Sequence, residues 1–215
     1  MDFFSKIYLG MSITFICMLF SCEKAIELSK TENDLIKSPN INLALLSEIE
    51  NLPNYAVKFS YSNLNPEEKT ILWTRHFEKH LSNKKYSKAQ LAHINKLFAL
   101  VSVDLFRRAG TPELEAFMKE FEKEWFYKAS ESGLFTVQEL FFIGTVDGLG
   151  IVDANLDKNL SSGRVEEVEA GCNCRYSLSC GFGGSCVSNK QCISSRENTT
   201  CGLMGTSLCD GKCSY

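Results

Sequence analysis

Residues 65–82 read NPEEKTILWTRHFEKHLS, and this stretch decides the fold class. Asn65 is a strong helix N-cap type. Pro66 occupies the first helical position, where its missing N–H costs nothing. Glu67 and Glu68 then lie at the positive end of the helix dipole. Trp73, Phe77 and Leu81 come next at intervals of four, which stacks three large apolar side chains on one face. The pattern predicts a helix running from Pro66 to about Ser82.

The same grammar repeats on both sides. Upstream, residues 40–52 carry Ile41, Leu45, Leu46 and Ile49 at helical spacing, and Pro53 stops the run. Downstream, Ser87 caps a helix whose buried stripe is Leu91, Ile94, Leu97, Phe98, Val101 and Leu105. Thr111-Pro112 opens another, with Leu114, Phe117, Met118, Phe121 and Trp125 along one side and Gly133 soon after its end. Thr136-Val137-Gln138-Glu139 fits a capping box and starts a last helix carrying Leu140, Phe141 and Ile143. No stretch alternates with period two for long enough to compete. Residues 40–150 therefore read as an all-α body of four or five antiparallel helices around an aromatic-rich core. The expected fold class is mostly α: a helical bundle followed by a small disulfide-rich C-terminal module.

The cysteines define that module. The chain has ten, and none falls between residues 23 and 171. Eight crowd the end: Cys172, Cys174, Cys180, Cys186, Cys192, Cys201, Cys209 and Cys213. An even number of close cysteines reads as a disulfide framework where the compartment is oxidising. The glycines among them permit tight turns. A segment this short holds few bulky apolar residues, so bridges must supply much of its stability. Zinc ribbons and thiol oxidoreductases use C-x-x-C pairs, and the tail has none.

The N-terminus supplies the compartment. Lys6 lies in a short polar start, and an apolar run extends from Ile7 to Phe20, the length of a signal-peptide core and short for a membrane span. It ends Leu19-Phe20-Ser21-Cys22. An aliphatic residue three before a cysteine and a small one just before it resemble a bacterial lipoprotein signal, with Phe20 as a departure. Cleavage would make Cys22 the lipidated first residue, an ordinary secretory signal being the alternative. Removing Cys17 with the signal and lipidating Cys22 leaves the eight tail cysteines, which can pair fully. Residues 1–21 are thus read as signal and 22–39 as a tether.

Residues 151–170 read as a solvated linker. Residues 153–170 hold five acids against two bases, whereas the tail after them carries Arg175, Lys190, Arg196 and Lys212 against Glu197 and Asp210. Asp153, Asn155, Asp157 and Asn159 alternate like the start of a calcium loop. Lys158 stands where that loop needs glycine, and Arg164 where it needs a bidentate glutamate. His76 and His80 lie four apart on one predicted helix, with His93 on the next. The glutamate between the first two falls one place too late for a zinc-protease motif. No nucleophile elbow or phosphate-binding loop occurs, so neither an enzyme nor a cofactor is expected. A formal net charge of −3 excludes the basic footprint of a nucleic-acid partner.

Ala170-Gly171-Cys172-Asn173-Cys174, the cysteines at 180, 186, 192 and 201, and Cys201-Gly202 leading to Cys209, Cys213 and Tyr215 resemble the bacteriocin fulvocin C-related family of Bacteroidetes. So do the lipoprotein-type signal and Leu64-Asn65-Pro66-Glu67-Glu68-Lys69 followed by Leu72-Trp73. Two features depart from the pattern. The Cys192–Cys201 gap is longer, and the chain ends in C-x-x-x-C rather than C-x-C. The resemblance implies four bridges, with pairing left open, and an antibacterial tail that acts on the envelope of a competing cell. It leaves two functional readings. In the first, an exported precursor anchored to the bacterial membrane releases residues 171–215 by cleavage in the linker. In the second, a lipid-anchored surface protein keeps its tail and uses it as a binding module.

Overall fold

The computed structural model describes residues 34–38, 40–151, 185–188, 199–209 and 211–214. The described chain is mostly helical, with a small C-terminal strand region. The expectations for Cys22, for the linker and for Cys172, Cys174, Cys180 and Cys192 lie outside the described residues.

Eight helices occur among the described residues. They are α1 (Leu43–Asn51), α2 (Asn54–Ser62), α3 (Pro66–Leu81), α4 (Lys88–Phe98), α5 (Val103–Arg107), α6 (Pro112–Glu122), α7 (Lys128–Glu131) and α8 (Val137–Gly144). The caps fall where the sequence puts them. Asn65, Ser87 and Thr136 each accept from the third helical amide, and Glu68, Gln90 and Glu139 reach back to the cap N–H. The capping box of α3 also fastens α1, because Glu68 Oε1 accepts from the Asn42 amide at 2.9 Å.

Helix α3 is central. Ile71, Trp73 and Phe77 are fully buried, and α3 packs against both α4 and α5. Three details differ from the sequence reading. The stripe from Leu91 to Leu105 is split: α4 ends at Phe98, and Ser102 recaps the chain by accepting from the Leu105 amide. Val101 still reaches the core, but from the connecting loop. Helix α2, just after Pro53, has no counterpart among the predicted helices. Finally, α6 runs into a π turn (Lys123–Tyr127) before α7. A π turn has more residues per turn than an α-helix, which rotates the facing of the residues beyond it. Trp125 and Phe126 are consequently both buried, whereas Phe117, expected in the buried stripe, is half exposed.

After α8 a 3₁₀ turn (Val146–Leu149) packs back on α2, and Lys58 pairs with Asp147 at 3.1 Å. Ile151 bridges to Pro53, its amide donating to the Leu52 carbonyl.

The tail contributes two antiparallel pairs. Strand β1 (Ser185–Ser188) pairs with β4 (Gly211–Ser214), with Cys186 opposite Cys213 in the register. Strand β2 (Thr199–Cys201) pairs with β3 (Ser207–Leu208) around a 3₁₀ turn at Leu203–Gly205. Cys201 and Cys209 form a disulfide across this second pair, with Cα atoms 5.4 Å apart.

Candidate functional site: the seat of the cysteine loop

The loop from Thr199 to Cys209 does not stand apart from the helices. Leu203 and Met204 belong to the same apolar cluster as Trp73, Ile143 and Val146, and are 1% and 0% exposed. Burying two such side chains contributes roughly 1.5–3 kcal/mol each. Every residue of the loop except Leu208 is buried.

Hydrogen bonds fix the loop at three points. The Tyr61 hydroxyl donates to the Met204 carbonyl at 2.8 Å, the Gly110 amide donates to the Thr206 carbonyl at 2.9 Å, and the Leu208 amide donates to Glu115 Oε1 at 3.2 Å. These anchors come from α2, the α5–α6 connection and α6. The Tyr61 oxygen also accepts from Trp73 Nε1 at 3.0 Å, so one buried hydroxyl links the loop to the central helix. Burial pushes the Tyr61 phenol well up, opposed by the Trp73 hydrogen bond, and the hydroxyl keeps the proton it donates. The Lys69 ammonium lies 4.8 Å from the centre of the Tyr61 ring, and burial pulls its pKa down to about 8.

Backbone geometry completes the fit. Gly205 has φ +62°, and a Cβ there would come within 2.6 Å of Val146 Cγ2 and 2.8 Å of Tyr61 Cε1. Only glycine combines that dihedral with that clearance. Met204 has φ +53°, a strained setting for a long side chain, held by its complete burial. Thr206 Oγ1 donates to the Leu203 carbonyl, and the Thr200 hydroxyl lies 3.3 Å from Cys209 Sγ. On the body side, Gly144 makes room for Leu203: an added Cβ would lie 2.9 Å from its Cδ2 and 3.0 Å from Trp125 Cζ3.

The three histidines occupy different parts of one aromatic seam. His76 Nε2–H donates to the Ile143 carbonyl at 3.1 Å, and its ring meets Trp73 and His80 edge-on. His80 Nδ1 shares a hydrogen bond with the Tyr86 hydroxyl. His93 stacks on Trp125 and exchanges reciprocal bonds with it: His93 Nε2–H donates to the Trp125 carbonyl at 2.8 Å, and Trp125 Nε1 donates to the His93 carbonyl at 3.1 Å. Burial lowers the pKa of His76 to about 3 and of His80 to about 4, and lowers that of His93 too. His76 and His93 are buried against aromatic rings, and His80 is half-buried beside them. No group of three metal-ligating side chains converges among the described residues.

Sequence reasoning finds the cysteines of this site but none of their partners. Tyr61, Gly110, Glu115 and Gly144 carry no motif. The one available hint is apolar: Leu203-Met204 between two cysteines, in a segment otherwise poor in bulky side chains.

Comparison with protein-family models, with curated proteins and with solved structures returns no match.

Proposed function

We propose that this chain is a lipid-anchored protein of the bacterial cell surface whose cysteine-rich tail is presented by the helical body rather than shed. The observation that carries this reading is the seating of Leu203 and Met204 in the helical core. Cutting the linker and removing the tail would strip an apolar plug from around Trp73 and Val146 and leave the Tyr61 hydroxyl without its carbonyl. Tail and body then act as one unit, with Cys22 as the lipid attachment point and the tail's outer surface as the contact for a partner on a neighbouring envelope. Burial of His76 and His93 supports a structural role for these two residues in the body.

A second reading is favoured by the cysteine spacing. On it the chain is a bacteriocin-like precursor of the fulvocin C-related type, the body is a carrier, and residues 171–215 are the antibacterial module. Release would then require both a cut in 153–170 and withdrawal of the loop.

Intact-mass measurement on protein recovered from the host's cells and medium separates the two. The first reading expects a lipidated chain from Cys22 to Tyr215 on cells and no small fragment outside. A soluble fragment of the last 45 or so residues, gaining about 2 Da for each bridge on reduction, would support the second and contradict the first.

A further inference from the structure

The loop is closed on itself by Cys201–Cys209, and its turn is already shaped by Gly205. The bridge limits the freedom the loop loses on docking, which favours binding by a small surface. Its anchors, Tyr61, Gly110 and Glu115, lie at least 93 positions away in sequence. Two of the three hydrogen bonds run from the body to loop carbonyls, and the third from a loop amide to a body carboxylate. Leu203 fills a space that Gly144 keeps open, and Met204 joins the same buried apolar cluster.

From this we infer that the seat formed by α2, the α5–α6 connection, α6 and α8 is a receptor for the 199–209 loop, and holds it after the chain between body and tail is cut. The partner it fits is a disulfide-closed loop carrying an adjacent Leu–Met pair followed by a glycine of positive φ. The inference rests on the proposed holding of the tail by the body, and extends it to a cleaved chain. Proteolysis in the linker would by itself leave the tail in place, and an additional event that unseats the loop would be needed to free it. Retention in micromolar solution after cutting requires the seat itself to bind at micromolar strength or tighter.

The test uses the full oxidised chain with a site-specific protease sequence placed within residues 153–170. It is cut to completion, as judged on a denaturing non-reducing gel, and run at micromolar concentration by native size exclusion. The expected result is co-elution of the two pieces as one species, separated only by denaturant, with loss of co-elution when Gly205→Val is introduced. Helical circular dichroism of the uncut Gly205→Val chain, expected to be retained, shows that the body folds. Spontaneous separation of the cut wild-type pieces, or co-elution of the cut Gly205→Val pieces with the body folded, would overturn the inference. The separate mass measurement on cells and medium reports whether cleavage occurs in the host. The two results can therefore fail independently.

Discussion

The Tyr61 hydroxyl donates to the Met204 carbonyl and accepts from Trp73 Nε1, so a single buried oxygen serves two distant elements. Tyr61→Phe would leave a buried carbonyl and a buried indole N–H without that partner, each at a cost of about 1–3 kcal/mol. We expect a loss of about 2–4 kcal/mol in chemical denaturation, and a loss below about 0.5 kcal/mol would contradict the bonding described. Two other residues set opposing pH responses. His76 is protonated near 6.5 when unfolded, but burial holds its folded pKa at about 3. Its contribution is complete above pH 6.5 and is lost as the pH falls from there towards 3. Glu122 behaves in the reverse sense: burial raises its carboxyl from 4.5 to about 7. Its contribution is complete below pH 4.5 and is lost as the pH rises through 7. At ~1.4 kcal/mol per unit, Glu122→Gln should raise stability at pH 8 by about 3 kcal/mol relative to its effect at pH 4. Unfolding curves at the two pH values check this, and an equal effect at both would refute the assignment.

At the scale of elements, the helices with side-chain caps are legible in the sequence. Asn65, Ser87 and Thr136 announce their helices because a cap is a local event between residues three apart. Helix α2 is not legible. Pro53 precedes it without a side-chain cap, and its fully buried pair, Val57 and Tyr61, is flanked by Phe59, which is 81% exposed. The π turn is equally silent, because what holds it is the reciprocal bonding of Trp125 with His93, 32 positions away. The cysteine loop makes its own prediction. Closing a loop of this size stabilises the folded chain by about 2.5 kcal/mol through the unfolded state. The double variant Cys201→Ser/Cys209→Ser should lower stability by at least that amount, measured by thermal unfolding, and an unchanged midpoint would contradict a role for the bridge.

At the scale of the molecule, the sequence divides at residue 171 in composition, cysteine content and charge, yet the 199–209 loop from beyond that point packs into the helical core. The helical class, the caps, most of the core and the cysteine-rich end are readable, since each depends on short-range spacing. The union of tail and body is not, because it rests on contacts such as Tyr61–Met204 that span 143 positions and use a backbone carbonyl, which no side-chain pattern encodes. Two apolar residues between cysteines can serve an outward surface or an inward plug, and only the partner's shape decides. What matters most is that the 199–209 loop is seated in the helical core. Native-state hydrogen exchange tests it most directly, by comparing the amides of Thr206 and Leu208 with those of α3 around Trp73 in the oxidised chain. The expected result is that the loop amides are protected by orders of magnitude over free peptide and lose that protection together, by an opening that unseats the whole loop. Rapid exchange of the loop amides while α3 stays protected would show a tail that merely rests on the body, and would contradict it.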